Sequence, residues 1–372
     1  MSTHLPNETL TAIFNSLQPN VLVDVLRVSH RFRLVAERIL YSNISIIETI
    51  PHTSPLPHFT LCCCQTLLRR PHLQEVVRKI AIRWQTDSGP REPYMPYIEP
   101  VLRTLNSALR TLYNLESLDL ALGLSGGTIS SRGILNECQF PSLRSFALSG
   151  VGRGSLSPKY HPTPTPPIEW FLNATPSIQH LRLADCYEVL ALQPTDLPFL
   201  NTFRGSAPTA ASVLPGRPVQ HVGLVGHEFV TERDLARIAC SSERIRWLDL
   251  SSMSVTPLLL RDISRHLFGV ECLKLKLALR HTLHHAMSGI SLLVGLVHVL
   301  GRFPELHQLD LSPTNIDSIG PGNASEESQL CTMWHQGCPS LRHITFPSKV
   351  EWILEPENGW TPQPSPSPPP SR

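Results

Sequence analysis

The chain has 372 residues, of which 35 are proline, 41% are apolar and 17% are charged. Its 32 basic and 30 acidic residues leave a net charge of +2, which excludes the bulk basic surface of a nucleic-acid or anionic-lipid binder. The apolar share excludes disorder of the whole chain and suffices for a sizeable core, in one elongated domain or two compact ones.

The nine cysteines are odd in number and include no Cys-x-x-Cys pair, so neither a disulfide framework nor a zinc knuckle is expected. The first residues lack a basic stretch followed by an apolar run, so no secretory signal is read there, and the expectation is a reduced intracellular protein of cytoplasm or nucleus.

Residues 5–41 carry three short helices. Asn7 is placed to cap the first, in which Leu10, Ile13, Phe14 and Leu17 fall at i, i+3, i+4, i+7 spacing. Pro19 and Asn20 end it. Leu22, Val25 and Leu26 mark a second helix, and Ser29 is placed to cap a third carrying Phe32, Val35, Ala36, Ile39 and Leu40. A unit of about 40 residues this apolar is small to stand alone, since such chains usually need a partner or a staple.

The run Leu-Pro-x-Glu-x-Leu-x-x-Ile-Phe-x-x-Leu from Leu5, then Leu-x-x-Val-x-x-Val-Ser-x-x-Phe and Ala-Glu-x-x-Leu-Tyr, resembles an F-box of the type found in large fungal families. Ser29 and Phe32 stand where other members often carry Cys and Trp. The resemblance implies helix-in-groove binding of the Skp-type adaptor of a cullin-RING ubiquitin ligase, through Leu5, Pro6, Glu8, Leu10, Ile13, Phe14, Leu17, Leu22, Val25, Val28, Ser29 and Phe32. The boundaries expected are an F-box over 1–45, a linker with a short helix over 46–75, a repeat domain over 76–355 and a disordered Pro/Ser-rich tail over 356–372.

In the repeat domain a Leu-x-x-Leu-x-Leu skeleton recurs. It reads Val77, Ile80, Ile82; Leu115, Leu118, Leu120; Leu143, Phe146, Leu148; Ile178, Leu181, Leu183; Val219, Val222, Leu224; Ile245, Leu248, Leu250; Val270, Leu273, Leu275; Leu306, Leu309, Leu311; and Leu341, Ile344, Phe346, with a weaker copy at Leu200 and Phe203. The last two positions of each triplet share one face of a short strand. Pro141, Pro176, Pro198, Pro304 and Pro339 stand two residues before the skeleton begins and mark helix-to-strand corners. Helices are expected over 98–112, 168–173, 232–240 capped by Thr231, 258–268, 283–300, and 326–335 capped by Ser325. Pro-rich insertions at 150–167, 204–218 and 314–323 are expected as loops. The alternation resembles a leucine-rich-repeat solenoid with long, irregular repeats. Only Cys186 occupies the position where that pattern wants Asn or Cys, so an asparagine ladder is otherwise missing.

The fold class expected is α/β, with a small three-helix F-box followed by an irregular leucine-rich-repeat-like solenoid. Other chemistry is thinly supported. Gly123-Leu124-Ser125-Gly126-Gly127 matches a serine-esterase elbow but has no Gly-rich oxyanion segment upstream. Residues 150–154 lack the spacing of a dinucleotide loop, and His281, His284 and His285 have no carboxylate or cysteine to complete a metal site. The uncharged run 286–300 is too short and too diluted by Ser, Gly and His for a membrane span. The expectation is therefore a non-enzymatic substrate receptor without cofactor or metal, with an F-box-like scaffold outside a ligase as the alternative and an esterase using Ser125 as a minor one.

Overall fold

The computed structural model describes residues 5–51, 56–86, 95–124, 134–151, 168–187, 189–226, 230–278, 289–314 and 324–363. Two compact units are formed, Met1–Asp185 and Cys186–Arg372. In the first, β1 (Asn43–Ile50), β2 (Lys79–Thr86), β3 (Ser117–Leu124), β4 (Ser145–Val151) and β5 (His180–Leu183) pair in parallel in chain order. In the second, β6 (Thr202–Gly205), β7 (His221–Val225), β8 (Trp247–Val255), β9 (Cys272–Leu277), β10 (Gln308–Asp310) and β11 (His343–Thr345) do the same. β12 (Glu351–Glu355) and β13 (Gly359–Gln363) then turn back as an antiparallel pair.

The apolar skeleton builds this order. Each of its residues is buried, and equivalent positions stand in register: Ile80, Leu118, Phe146 and Leu181 in the first unit, Phe203, Val222, Leu248, Leu273, Leu309 and Ile344 in the second. The corner prolines sit inside tight turns. The Leu143 N–H donates to the Phe140 carbonyl at 3.2 Å across Pro141, and the same bond spans Pro176, Pro198, Pro304 and Pro339. Proline suits the second position of such a turn because its φ is preset and it has no N–H to satisfy. Tyr113 takes that place in the Leu112–Leu115 turn.

One residue past the start of eight of the ten skeleton copies, a backbone carbonyl accepts two N–H groups from the next repeat. Arg78 accepts from Glu116 and Ser117 at 2.7 and 3.0 Å, Glu116 from Arg144 and Ser145 at 2.8 and 3.0 Å, and Arg144 from Gln179 and His180 at 2.7 and 2.9 Å. In the second unit Asn201, Gln220, Arg246, Glu271 and His307 act likewise. On the outward sheet face, Arg204 reaches across Gly223 to Asp249 at 2.6 Å, and Lys274 pairs with Asp310 at 2.7 Å. A Cβ on Gly223 would lie 3.0 Å from Arg204 Cγ, so glycine leaves the path open. Burial opposes ionisation of Asp249 and Asp310, but hydrogen bonds from Ser251 and Ser312 and the facing Arg204 and Lys274 outweigh it and hold both carboxyls below the usual range.

Several boundaries differ from expectation. The segment 46–75 is no linker: β1 extends to Ile50, and α4 (His58–Arg69) and α5 (Pro71–Gln74) follow. Glu48 hid the strand, because a carboxylate occupies an inward position of β1. It is buried and accepts from the N–H groups of Phe59 and Thr60 and from the Thr60 hydroxyl, while Trp84 Nε1 donates to that hydroxyl at 2.9 Å. The insertion 204–218 holds a buried helix, Ala207–Val213, with the Ser206 cap before it, Pro208 in its first turn, where proline is tolerated, and alanine through its body. The tail expected from 356 begins with β13, and the turn before it carries Asn358-Gly359 with Gly359 at φ 71°.

Helix ends shift as well. The expected 98–112 helix is α6 (Met95–Leu109), the expected 168–173 helix is Glu169–Ala174, and the expected 258–268 helix is Pro257–His266. The Thr231 hydroxyl caps the helix Glu232–Ile238 by accepting the Asp234 N–H, and the Asp234 carboxylate accepts the Thr231 N–H in return. The final helix is Ala324–Gly337, so Ser325 lies inside its first turn and not at the cap. Within 289–300 a 3-10 segment, Gly289–Leu296, precedes a single α-turn, Val297–Leu300. Ser125, the glycines at 152 and 154, the histidines at 281, 284 and 285 and the tail from 364 lie outside the described residues.

Two predictions follow from this packing. A Cβ on Gly301 would lie 2.8 Å from the Gly337 carbonyl oxygen, whereas Gly295 has nothing within 4 Å. Gly301→Ala is expected to cost about 1–3 kcal/mol in urea unfolding and Gly295→Ala close to none. Because the folded-state carboxyls of Asp249 and Asp310 are depressed, their stabilisation is present above the unfolded value of about 4 and disappears as pH falls through the folded values. Thermal melts from neutral pH down to about pH 3 should therefore fall less steeply for an Asp249→Asn, Asp310→Asn variant than for the native chain.

Candidate functional site

At the amino end, α1 (Asn7–Asn15), α2 (Pro19–Val25) and α3 (His30–Ser42) form a small bundle. Leu10, Phe14, Leu22, Val35 and Ala36 are its buried centre, with Leu17, Val25, Leu26, Phe32, Ile39 and Leu40 packed around them. Phe14 and Phe32 meet edge to face with centroids 5.3 Å apart. The Ser29 hydroxyl caps α3, accepting the Phe32 N–H at 3.2 Å. Asn7 does not cap α1, whose cap position is Pro6; its side-chain oxygen accepts from Arg31 Nε at 2.8 Å, and Arg31 also donates to the Leu5 carbonyl. Arg31 thereby ties the start of α1 to α3.

The residues proposed from sequence thus divide by burial. Leu10, Phe14 and Leu22 are buried in the bundle's own centre, and Leu17, Val25 and Phe32 are half-buried. Leu5, Pro6, Glu8, Ile13, Val28 and Ser29 are exposed, with Leu5 at 50%, Ile13 at 44% and Val28 at 67%. Val21, Val23 and Leu34 are further exposed apolar side chains of the same bundle, outside the twelve positions expected from sequence. They lie off the i, i+3, i+4 stripe on which those positions rest.

The bundle is joined directly to the first repeat, since β1 begins at the residue after α3. Glu37 fastens the junction. Its buried carboxylate lies 3.2 Å from Arg33 Nε on α3, 2.9 Å from Arg70 Nη1 at the end of α4, and 3.8 Å from His72 Nε2 on α5. An open cleft of about 1050 Å³ beside it is lined by Glu8, Leu34, Arg38, His72, Glu75 and Arg78, among others.

All nine cysteines are free thiols. Burial, with Cys62 adding to it, pushes Cys63 up to about 11, and burial pushes Cys64 up to about 12, so neither is a nucleophile near neutral pH. Among the described residues no group of three or more His, Cys, Asp or Glu is placed to hold a metal ion. Among the same residues no helix is long and apolar enough to cross a membrane.

Glu37 generates a prediction. Its partners Arg33, Arg70 and His72 are about half exposed, so they rehydrate when it is removed, and Glu37→Ala is expected to cost about 1–2 kcal/mol in urea denaturation. Hydrogen exchange should rise first in α5 and at the end of α4.

Comparison with known proteins finds a family model, F-box-like, matching residues 2–47. No curated protein matches. Among solved structures, an internalin from Listeria monocytogenes is similar at 13% identity with a TM-score of 0.31, covering 88% of this chain and 89% of that one. The leucine-rich-repeat-like architecture rests on the chain's own ladder of parallel strands and buried skeleton. The three-helix bundle that opens this chain is an F-box-like domain, and the α/β repeat structure follows it without a gap.

Proposed function

We propose that this chain is the substrate-receptor subunit of an SCF-type cullin-RING ubiquitin ligase, with the bundle binding a Skp-type adaptor and the repeat structure binding a protein substrate. The observation that carries the reading is an F-box-like bundle that has a complete small core yet leaves Leu5, Ile13 and Val28 in solvent. Exposed apolar side chains on so small a unit are those a partner's groove would cover. Leu10, Phe14 and Leu22 then act from beneath, holding α1 and α2 in place, and Ser29 acts by capping α3.

The mechanism is proximity. A receptor that holds adaptor and substrate at once raises their effective concentration and needs no catalytic group of its own. The Glu37 junction favours this role, because it fixes the bundle to the first repeat. For the substrate, the outward face of the second unit offers Trp247, 39% exposed, its ring centroid 6.3 Å from that of His221. Aromatic side chains on rigid strands suit an anchoring role.

Co-purification of the full chain with a Skp-type adaptor and a cullin tests the proposal. Both partners are expected with the native chain, and an Ile13→Asp, Val28→Asp variant should lose adaptor affinity by about tenfold or more while its thermal melt stays unchanged. Undiminished adaptor binding by the folded variant would overturn the bundle's role. Adaptor without cullin would leave a scaffold outside a ubiquitin ligase.

A further inference from the structure

The first strand of the first unit and the last strand of the second are protected unequally. β13 carries Pro362, which removes a backbone donor from that edge, a common guard against strand addition. β1 is eight residues long, pairs with β2 without a register shift, and contains no proline or lysine. The Arg78 N–H donates to the Ser42 carbonyl at 2.9 Å, so by the alternation of a parallel ladder the even positions of β1 face β2. The backbone groups of Asn43, Ser45, Ile47 and Thr49 face away from it, and none of them has a backbone partner among the described residues outside the β1–β2 ladder.

Apolar side chains flank this edge. Ile47 on the outward sheet face is 62% exposed, and Phe59, whose N–H is held by Glu48 of β1, is 65% exposed. The four outward-facing positions carry no charge. The strand's one carboxylate, Glu48, is turned inward and occupied by α4.

We propose that β1 pairs with β1 of a second copy of this chain, antiparallel about a two-fold axis at Ile47. In that register Ile47 faces its own copy and Ser45 faces Thr49, so the most exposed apolar side chain of the strand is covered and no like charges meet. Head-to-tail addition of β13 to β1 is opposed by Pro362, which leaves the isologous pairing as the self-association this edge favours. An eight-residue ladder buries less than the roughly 1,200 Å² of stable complexes, so the dimer is weak and concentration-dependent.

Sedimentation velocity on the full chain, from about 1 to 100 μM, tests this. The native mass should climb from 41.5 kDa toward twice that value, while Ile47→Lys and Ser45→Pro stay monomeric throughout. Ile47 is exposed, so the lysine variant should keep its circular dichroism and melting temperature even if the proline variant does not fold. Under mild oxidation Ile47→Cys should link two copies and Asn43→Cys should not. A native chain that stays monomeric over the range overturns the proposal, as does a dimer that persists in Ile47→Lys. A monomeric native chain whose edge is protected from hydrogen exchange only when the adaptor is bound would assign the edge to the adaptor instead.

Discussion

Eight of the eleven parallel strands, β3 to β5 and β7 to β11, start from a shared carbonyl. In each case one backbone oxygen, just past the first residue of the preceding apolar skeleton, accepts two N–H groups from the following repeat. The bonds use both lone pairs of the acceptor and hold the next strand at a set height. The apolar skeleton then falls into register and buries itself layer on layer. Regular repeats of this kind use a ladder of asparagine side chains at their turns. Here only Cys186 fits that place, and the main chain provides the continuity. Such a ladder is indifferent to side-chain identity, which permits repeats of unequal length and the insertion of the helix Ala207–Val213 between β6 and β7.

The amino-terminal bundle obeys the opposite constraint. Three helices of nine, seven and thirteen residues enclose little volume, and Leu10, Phe14, Leu22, Val35 and Ala36 fill it. Further apolar residues have nowhere to go but outward. The surface left by Leu5, Ile13 and Val28 is thus a consequence of size, and the direct passage from α3 into β1 with Glu37 at the seam fastens that surface to the repeat structure.

Much of this could be read along the chain. The triplets announce themselves because a residue buried in every repeat must be apolar at a constant spacing, and proline marks the turn where φ is preset and a donor is unwanted. The helices of the bundle were visible through their period and through Ser29 at a cap. β1 escaped because Glu48 occupies an inward position, and its carboxylate is tolerated there only because Phe59, Thr60 and the start of α4 satisfy it from eleven and twelve residues away. The last hairpin escaped for a different reason: proline at 356 and 362 suggested disorder, while Asn358-Gly359 between Trp352 and Trp360 signalled a turn.

The sequence alone determined that the chain begins with an F-box-like unit and continues as stacked strand-and-helix repeats, since both depend on local periodicity and on which residues are apolar. Only the tertiary structure decided which of the twelve proposed positions face solvent and which serve the bundle's own core, because a helical stripe does not record how wide the neighbouring helix is. It likewise decided that Glu37 belongs to a junction, Glu48 to a helix cap and Ile47 to an open edge. Burial and pairing are properties of what packs against a residue, and the partners of Glu37 and Glu48 include residues from eleven to thirty-five positions away.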